Sequence, residues 1–104
     1  MKYFGATVLL AACLHAVPAA ASTQLAMQAG CIACHAADKP MVGPSWRAIA
    51  AKYKGQPNAA ALMAERVRKG GVNVWGKVPM PPTPADKLKD ADLKALVSWM
   101  LKTP

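Results

Sequence analysis

Histidine and cysteine are scarce in this 104-residue chain, which has two histidines, His15 and His35, and three cysteines, Cys13, Cys31 and Cys34. Carboxylates are few as well, five against 13 lysines and arginines, for a formal charge of +8. The length leaves room for one small domain, since domains run from roughly 50 to 250 residues, and it excludes a large two-domain enzyme. There is no internal repeat and no low-complexity segment. A transmembrane span of roughly 20 apolar residues is also missing, because Pro18 interrupts the uncharged run from Tyr3 to Val17. No basic helix with base-reading residues is evident, so nucleic acid is not an expected partner. Apolar residues are not in short supply. At 54% they are too many for an intrinsically disordered chain.

Residues 1–21 read as a secretory signal and residues 22–104 as the single domain. Lys2 precedes the uncharged run, and Ala19-Ala20-Ala21 offers a small-x-small cleavage pattern before Ser22. A competing reading takes Leu10-Ala11-Ala12-Cys13 as a lipoprotein box that would tether the protein through Cys13. Both readings take the domain out of the cytoplasm, and the first places it in the periplasm. Cleavage removes Lys2 alone among the basic side chains, so the domain stays strongly cationic.

Cys31-Ile32-Ala33-Cys34-His35 is the C-x-x-C-H of covalent haem c attachment. Two thiols three positions apart can reach the two vinyl groups on one edge of a porphyrin, and the next residue brings an imidazole under the iron. Other readings of the motif are weaker. A thioredoxin-like pair needs a βαβ context, and no run of alternating strand residues lies nearby. A closed zinc site needs a fourth Cys or His that residues 22–104 do not contain. An exported domain allows a plain disulfide, but that leaves His35 without a role.

The remaining pattern is helical. It predicts a first helix from Thr23 to about His35, with Thr23 as its cap. A second runs over Ser45–Tyr53, where Trp46, Ile49, Ala50 and Tyr53 share a face. A third runs from an Asn58 cap to Lys69 and stops at Gly70-Gly71. In the last, Leu93, Leu96, Val97, Met100 and Leu101 form an apolar stripe while Lys94 and Ser98 face out, and Asp90 is the candidate cap. Between the third and fourth helices, residues 72–84 are too rich in proline for a helix interior or a sheet centre. They are also too rich in Val, Trp and Met for a solvent linker, so they predict a stiff loop packed on something flat and apolar. His35 is the only histidine after residue 21, so a second intrachain histidine ligand is excluded. Among the methionines, Met63 and Met100 read as core, Met27 and Met41 lie close in sequence to the attachment motif, and Met80 alone is held between prolines. The loop favours Met80 as the second iron ligand.

These motifs together resemble a small bacterial class I cytochrome c across residues 22–104. The resemblance rests on Cys31-x-x-Cys34-His35, Met41-Val42-Gly43-Pro44, residues 70–76, Val78-Pro79-Met80-Pro81-Pro82 and the last helix. It implies an all-α fold of about four short helices and loops wrapped round one haem c, bound through Cys31 and Cys34. His35 is then the proximal ligand and Met80 the distal one, with the Pro44 carbonyl accepting from the other His35 ring nitrogen. Arg66 and Trp75 fall where such proteins contact a haem propionate, and a packed core indole is the other reading of Trp75. Where the family often has Asn after the proline pair, this chain has Thr83.

The resemblance further implies a periplasmic electron carrier rather than an enzyme, acting as a monomer on redox partner proteins. Lys39, Arg47, Lys52, Lys54, Lys77, Lys87, Lys89, Lys94 and Lys102 fall on predicted outer faces and suit acidic partners. Two alternatives stay open. One is a haem c module or lipid-tethered subunit of a larger redox complex, and the other is a ligand-binding or peroxidatic haem domain.

Overall fold

The computed structural model describes residues 19–104, with side chains from Ser22 onward. Cys13 and most of the expected leader lie outside the described residues. The described chain folds as α1 (Ala19–Gln28), a 3-10 turn (Cys31–Ala33), α2 (Trp46–Tyr53), α3 (Ala59–Lys69) and α4 (Asp90–Leu101). The all-α class is therefore as expected. Among the described residues the only β pairing is an isolated antiparallel bridge between Gly71 and Met80.

Each helix forms for local reasons, and three local details differ from expectation. α1 begins upstream of Thr23 and stops at Gln28 instead of running to His35. Gly30, at φ +80, takes the left-handed conformation that ends helices. The attachment motif therefore sits in a separate tight turn. α2 is capped as its sequence predicts, since the Ser45 hydroxyl accepts from the Ala48 N–H at 3.1 Å. α3 starts after Asn58, but the Asn58 side chain makes no cap bond. It ends at Gly70, whose N–H donates to the Arg66 carbonyl at 2.8 Å. Asp90 does not cap α4. It is the first helical residue, Lys89 holds the cap position, and the Asp90 carboxylate is engaged by Arg68.

α4 unites the fold, packing on α1, α2 and α3 in turn. Its buried stripe is Leu93, Leu96, Val97 and Met100, with Leu101 only partly covered. Against it lie Ala26 of α1, Trp46 and Ile49 of α2, and Met63 and Val67 of α3. Trp46 meets Trp99 edge to face, with centroids 4.9 Å apart and planes at 72°. The Trp46 Nε1 has no hydrogen-bond acceptor and is closed to solvent.

Candidate functional site

A cleft of about 500 Å³ opens beside this core. That lies within the roughly 300–1,000 Å³ typical of ligand and cofactor sites. Two segments separated in sequence line it, the stretch from Cys31 to Ile49 and the loop from Gly71 to Pro81. Met63, Arg66, Val67 and Met100 close it from the core.

The first segment is tied to itself through its backbone. The His35 N–H donates to the Cys31 carbonyl at 3.0 Å, and the Gly43 N–H donates to the Cys34 carbonyl at 2.8 Å. The N–H groups of Trp46 and Arg47 reach the carbonyls of Ala36 and Ala37 at 2.9 and 3.1 Å, fixing the motif to the start of α2. His35 Nδ1 lies 2.7 Å from the Pro44 carbonyl oxygen. A carbonyl can only accept, so the proton is on Nδ1 and Nε2 keeps its lone pair. Gly43 shows why this ring position needs glycine: a Cβ there would stand 2.7 Å from His35 Cε1. Cys31 and Cys34 form no disulfide with each other, and before attachment burial pushes the Cys31 thiol up, with a backbone hydrogen bond opposing the rise and Cys34 adding to it. A raised thiol is the reverse of the low-pKa cysteine of a redox pair. Among the described residues no group of three His, Cys, Asp or Glu could hold a metal ion.

The second segment is a loop closed at its base. Gly71 and Met80 exchange both backbone hydrogen bonds, at 3.0 and 2.8 Å, and Asn73 donates to the Gly76 carbonyl at 2.9 Å inside the loop. Gly70, at φ +67, abuts the Met80 carbonyl and the two prolines after it. Met80 itself is partly buried against the core and lines the cleft.

Arg66 and Trp75 also line the cleft. Among the described residues the Arg66 side chain has no ion pair or hydrogen bond; the acids that form ion pairs join Arg68 and Lys69. Its guanidinium lies against Gly71, where a Cβ would collide with it. Trp75 lies outside the helical core, on the loop that lines the cleft, and is 45% exposed there. The Lys52 ammonium sits 4.7 Å from its ring centroid, a cation–π contact that the sequence did not suggest. Met63 and Met100 are core, as expected, but each also faces the cleft.

The cleft fits a haem on these observations. It offers two free thiols, an imidazole with Nε2 available, a thioether, mostly apolar lining, and an unpaired cation with an indole for carboxylates. All seven site residues named from the sequence line it: Cys31, Cys34, His35, Pro44, Arg66, Trp75 and Met80. The sequence marks Gly43 as part of a motif and Gly70-Gly71 as a helix stop, but the close approaches that require them come from elsewhere in the fold.

Comparisons with known proteins agree. The family described as cytochrome c matches residues 19–104. The chain is 55% identical over 85 residues to cytochrome c2 of Rubrivivax gelatinosus, covering 82% of this chain and 100% of that one. It is 44% identical to cytochrome c-552 of Hydrogenobacter thermophilus, over 78% of this chain and 80% of that one. Among solved structures it is similar to wild-type cytochrome c552 of Nitrosomonas europaea, with TM-score 0.73 and 41% identity over 79% of this chain and 99% of that one. It is also similar to the class 1 cytochrome MtoD of Sideroxydans lithotrophicus, with TM-score 0.71 and 30% identity over 85% and 98% of the two chains. The chain belongs to the cytochrome c family, as a small class I monohaem member that carries one haem c bonded to Cys31 and Cys34.

Proposed function

We propose that this cytochrome carries single electrons between redox proteins in the periplasm, with His35 and Met80 as the axial ligands of its iron. Residues 1–21 would direct export and be cleaved off in the process. It is an electron-transfer protein and not an enzyme. The observation that carries the ligand assignment is the 2.7 Å contact between His35 Nδ1 and the Pro44 carbonyl, which leaves Nε2 as the donor nitrogen of a ring that lines the same cleft as Met80.

Bound in the cleft, haem c supplies a one-electron Fe(III)/Fe(II) couple. The chain's own residues set its conditions. The Cys31 and Cys34 thiols anchor one edge, and Pro44 fixes the tautomer and orientation of His35. Met80 offers a thioether, which with histidine raises the potential. With His35 and Met80 both holding the iron, no position on it would be left for a substrate. The apolar lining keeps water away, and Arg66 with the Trp75 indole provides donors for propionate carboxylates. Prolines on both sides of Met80 limit the rearrangement that accompanies a change of charge. Visible spectra in both oxidation states and an intact mass test the reading together. A low-spin spectrum is expected, with a mass exceeding the polypeptide from Ser22 by one haem. A high-spin ferric spectrum, or a mass without the added group, would overturn it.

The nine basic residues named from the sequence are all exposed. Lys77 lines the cleft and Lys52 covers Trp75 at its rim, which supports docking of this monomer onto acidic partners. Electron exchange with an acidic partner is then expected to slow at least about tenfold between roughly 0.01 and 0.15 M salt. Stopped-flow rates across that range check it, and a flat profile would remove steering. Among the described residues no helix is long and apolar enough to cross a membrane.

A further inference from the structure

The strap Pro79-Met80-Pro81-Pro82-Thr83-Pro84 contains four prolines, so only Met80 and Thr83 have backbone N–H donors. Both are bonded, Met80 to the Gly71 carbonyl at 2.8 Å and Thr83 to the Val67 carbonyl at 2.9 Å. The Thr83 carbonyl is held as well, accepting from Arg68 Nη1 at 3.2 Å. The other arm of the same guanidinium, Nη2, donates to Asp90 Oδ1 at 2.7 Å. One side chain of α3 thus joins the far end of the strap to the first residue of α4. Its two bonds span 15 and 22 positions in sequence.

We propose that Arg68 is a positioning residue for Met80, acting through Thr83. Pro81 and Pro82 make the link stiff, since their φ angles are fixed and a displacement of Thr83 passes to Met80 instead of being absorbed between them. The Arg68 side chain is 21% exposed and the Asp90 side chain 93%. The ion pair therefore adds little energy of its own. Asp90 instead keeps the guanidinium turned so that Nη1 meets the Thr83 carbonyl. This inference rests on Met80 being the distal ligand.

Imidazole competes with a methionine for ferric iron, so its affinity reads how firmly Met80 is held. Spectral titration of the holoprotein compares the wild type with Arg68→Met, Arg68→Lys, Met80→Ala and Lys69→Met. Urea unfolding midpoints are recorded alongside. Arg68→Met is expected to bind imidazole about tenfold more tightly than the wild type, equal to about 1.4 kcal/mol and typical of a lost charge-assisted hydrogen bond. Arg68→Lys should restore most of the resistance. Lys69→Met, which breaks only the exposed pair with Glu65, should match the wild type. A merely structural Arg68 would lower the urea midpoint of Arg68→Met and leave its imidazole affinity within about twofold of wild type, and that result overturns the proposal. If wild type and Met80→Ala bind imidazole alike, the ligand assignment itself falls.

Discussion

Replacing Met80 with alanine is expected to lower the reduction potential by a few tenths of a volt, within the roughly 0.8 V span that axial ligands command. The thioether favours the reduced state, and the other methionines that line the cleft are held elsewhere. His35 is the only histidine of the described residues, while Met63 and Met100 are 5% exposed and fixed in the helical core. Met41 is 52% exposed and belongs to the segment that carries His35. The variant should bind small exogenous ligands that the wild type resists. A redox titration checks the first effect and the visible spectrum with added cyanide the second. An unchanged potential and spectrum would remove Met80 from the iron.

Gly70→Ala should have the second large effect, on both stability and ligation. Two costs combine there. At φ +67 and ψ −160, a region that only glycine readily adopts, an alanine is strained by roughly 1–3 kcal/mol. Its methyl would also press into the Met80 carbonyl, the Pro81 carbonyl carbon at 2.9 Å and the Pro82 nitrogen at 2.9 Å, all backbone atoms that cannot swing aside. A total loss of about 3 kcal/mol or more is expected, in the range of the larger single-site effects, with a fraction of the iron losing Met80. Gly55→Ala separates the two costs, because φ there is +80 but no atom lies within 4 Å of the added carbon. It should lose only the strain. Urea midpoints give the energies and the ferric spectrum gives the ligation. Equal losses for the two variants would mean that the close approach at Gly70 holds nothing.

Much of this site was legible in the sequence because its chemistry is local. Covalent attachment needs Cys31, Cys34 and His35 within five consecutive residues, and the prolines flanking Met80 mark a rigid loop without reference to the rest of the chain. The helices from Ser45, Asn58 and Leu93 onward follow apolar spacing of the helical period. The misreadings come from competition that spacing does not record. The pattern carries the first helix on to about His35, yet the left-handed backbone of Gly30 ends α1 before the motif. Asp90 has the composition of a cap, but the Arg68 guanidinium engages its carboxylate across 22 positions. Trp75 has an indole's preference for burial, but its loop stands at the cleft rim under Lys52. The contacts that require glycine at 43, 70 and 71 are hidden for the same reason, since each comes from a neighbour that only the fold brings near.

The position of α4 bears on how the chain is made. It is the common partner of α1, α2 and α3, and no other pair of these helices packs extensively. It is also the helix that leaves the ribosome after the other three. Until residues 90–101 appear, the earlier segments have nothing in common to bury against. The order of its own segments thus postpones burial of the common core until the last helix has been made.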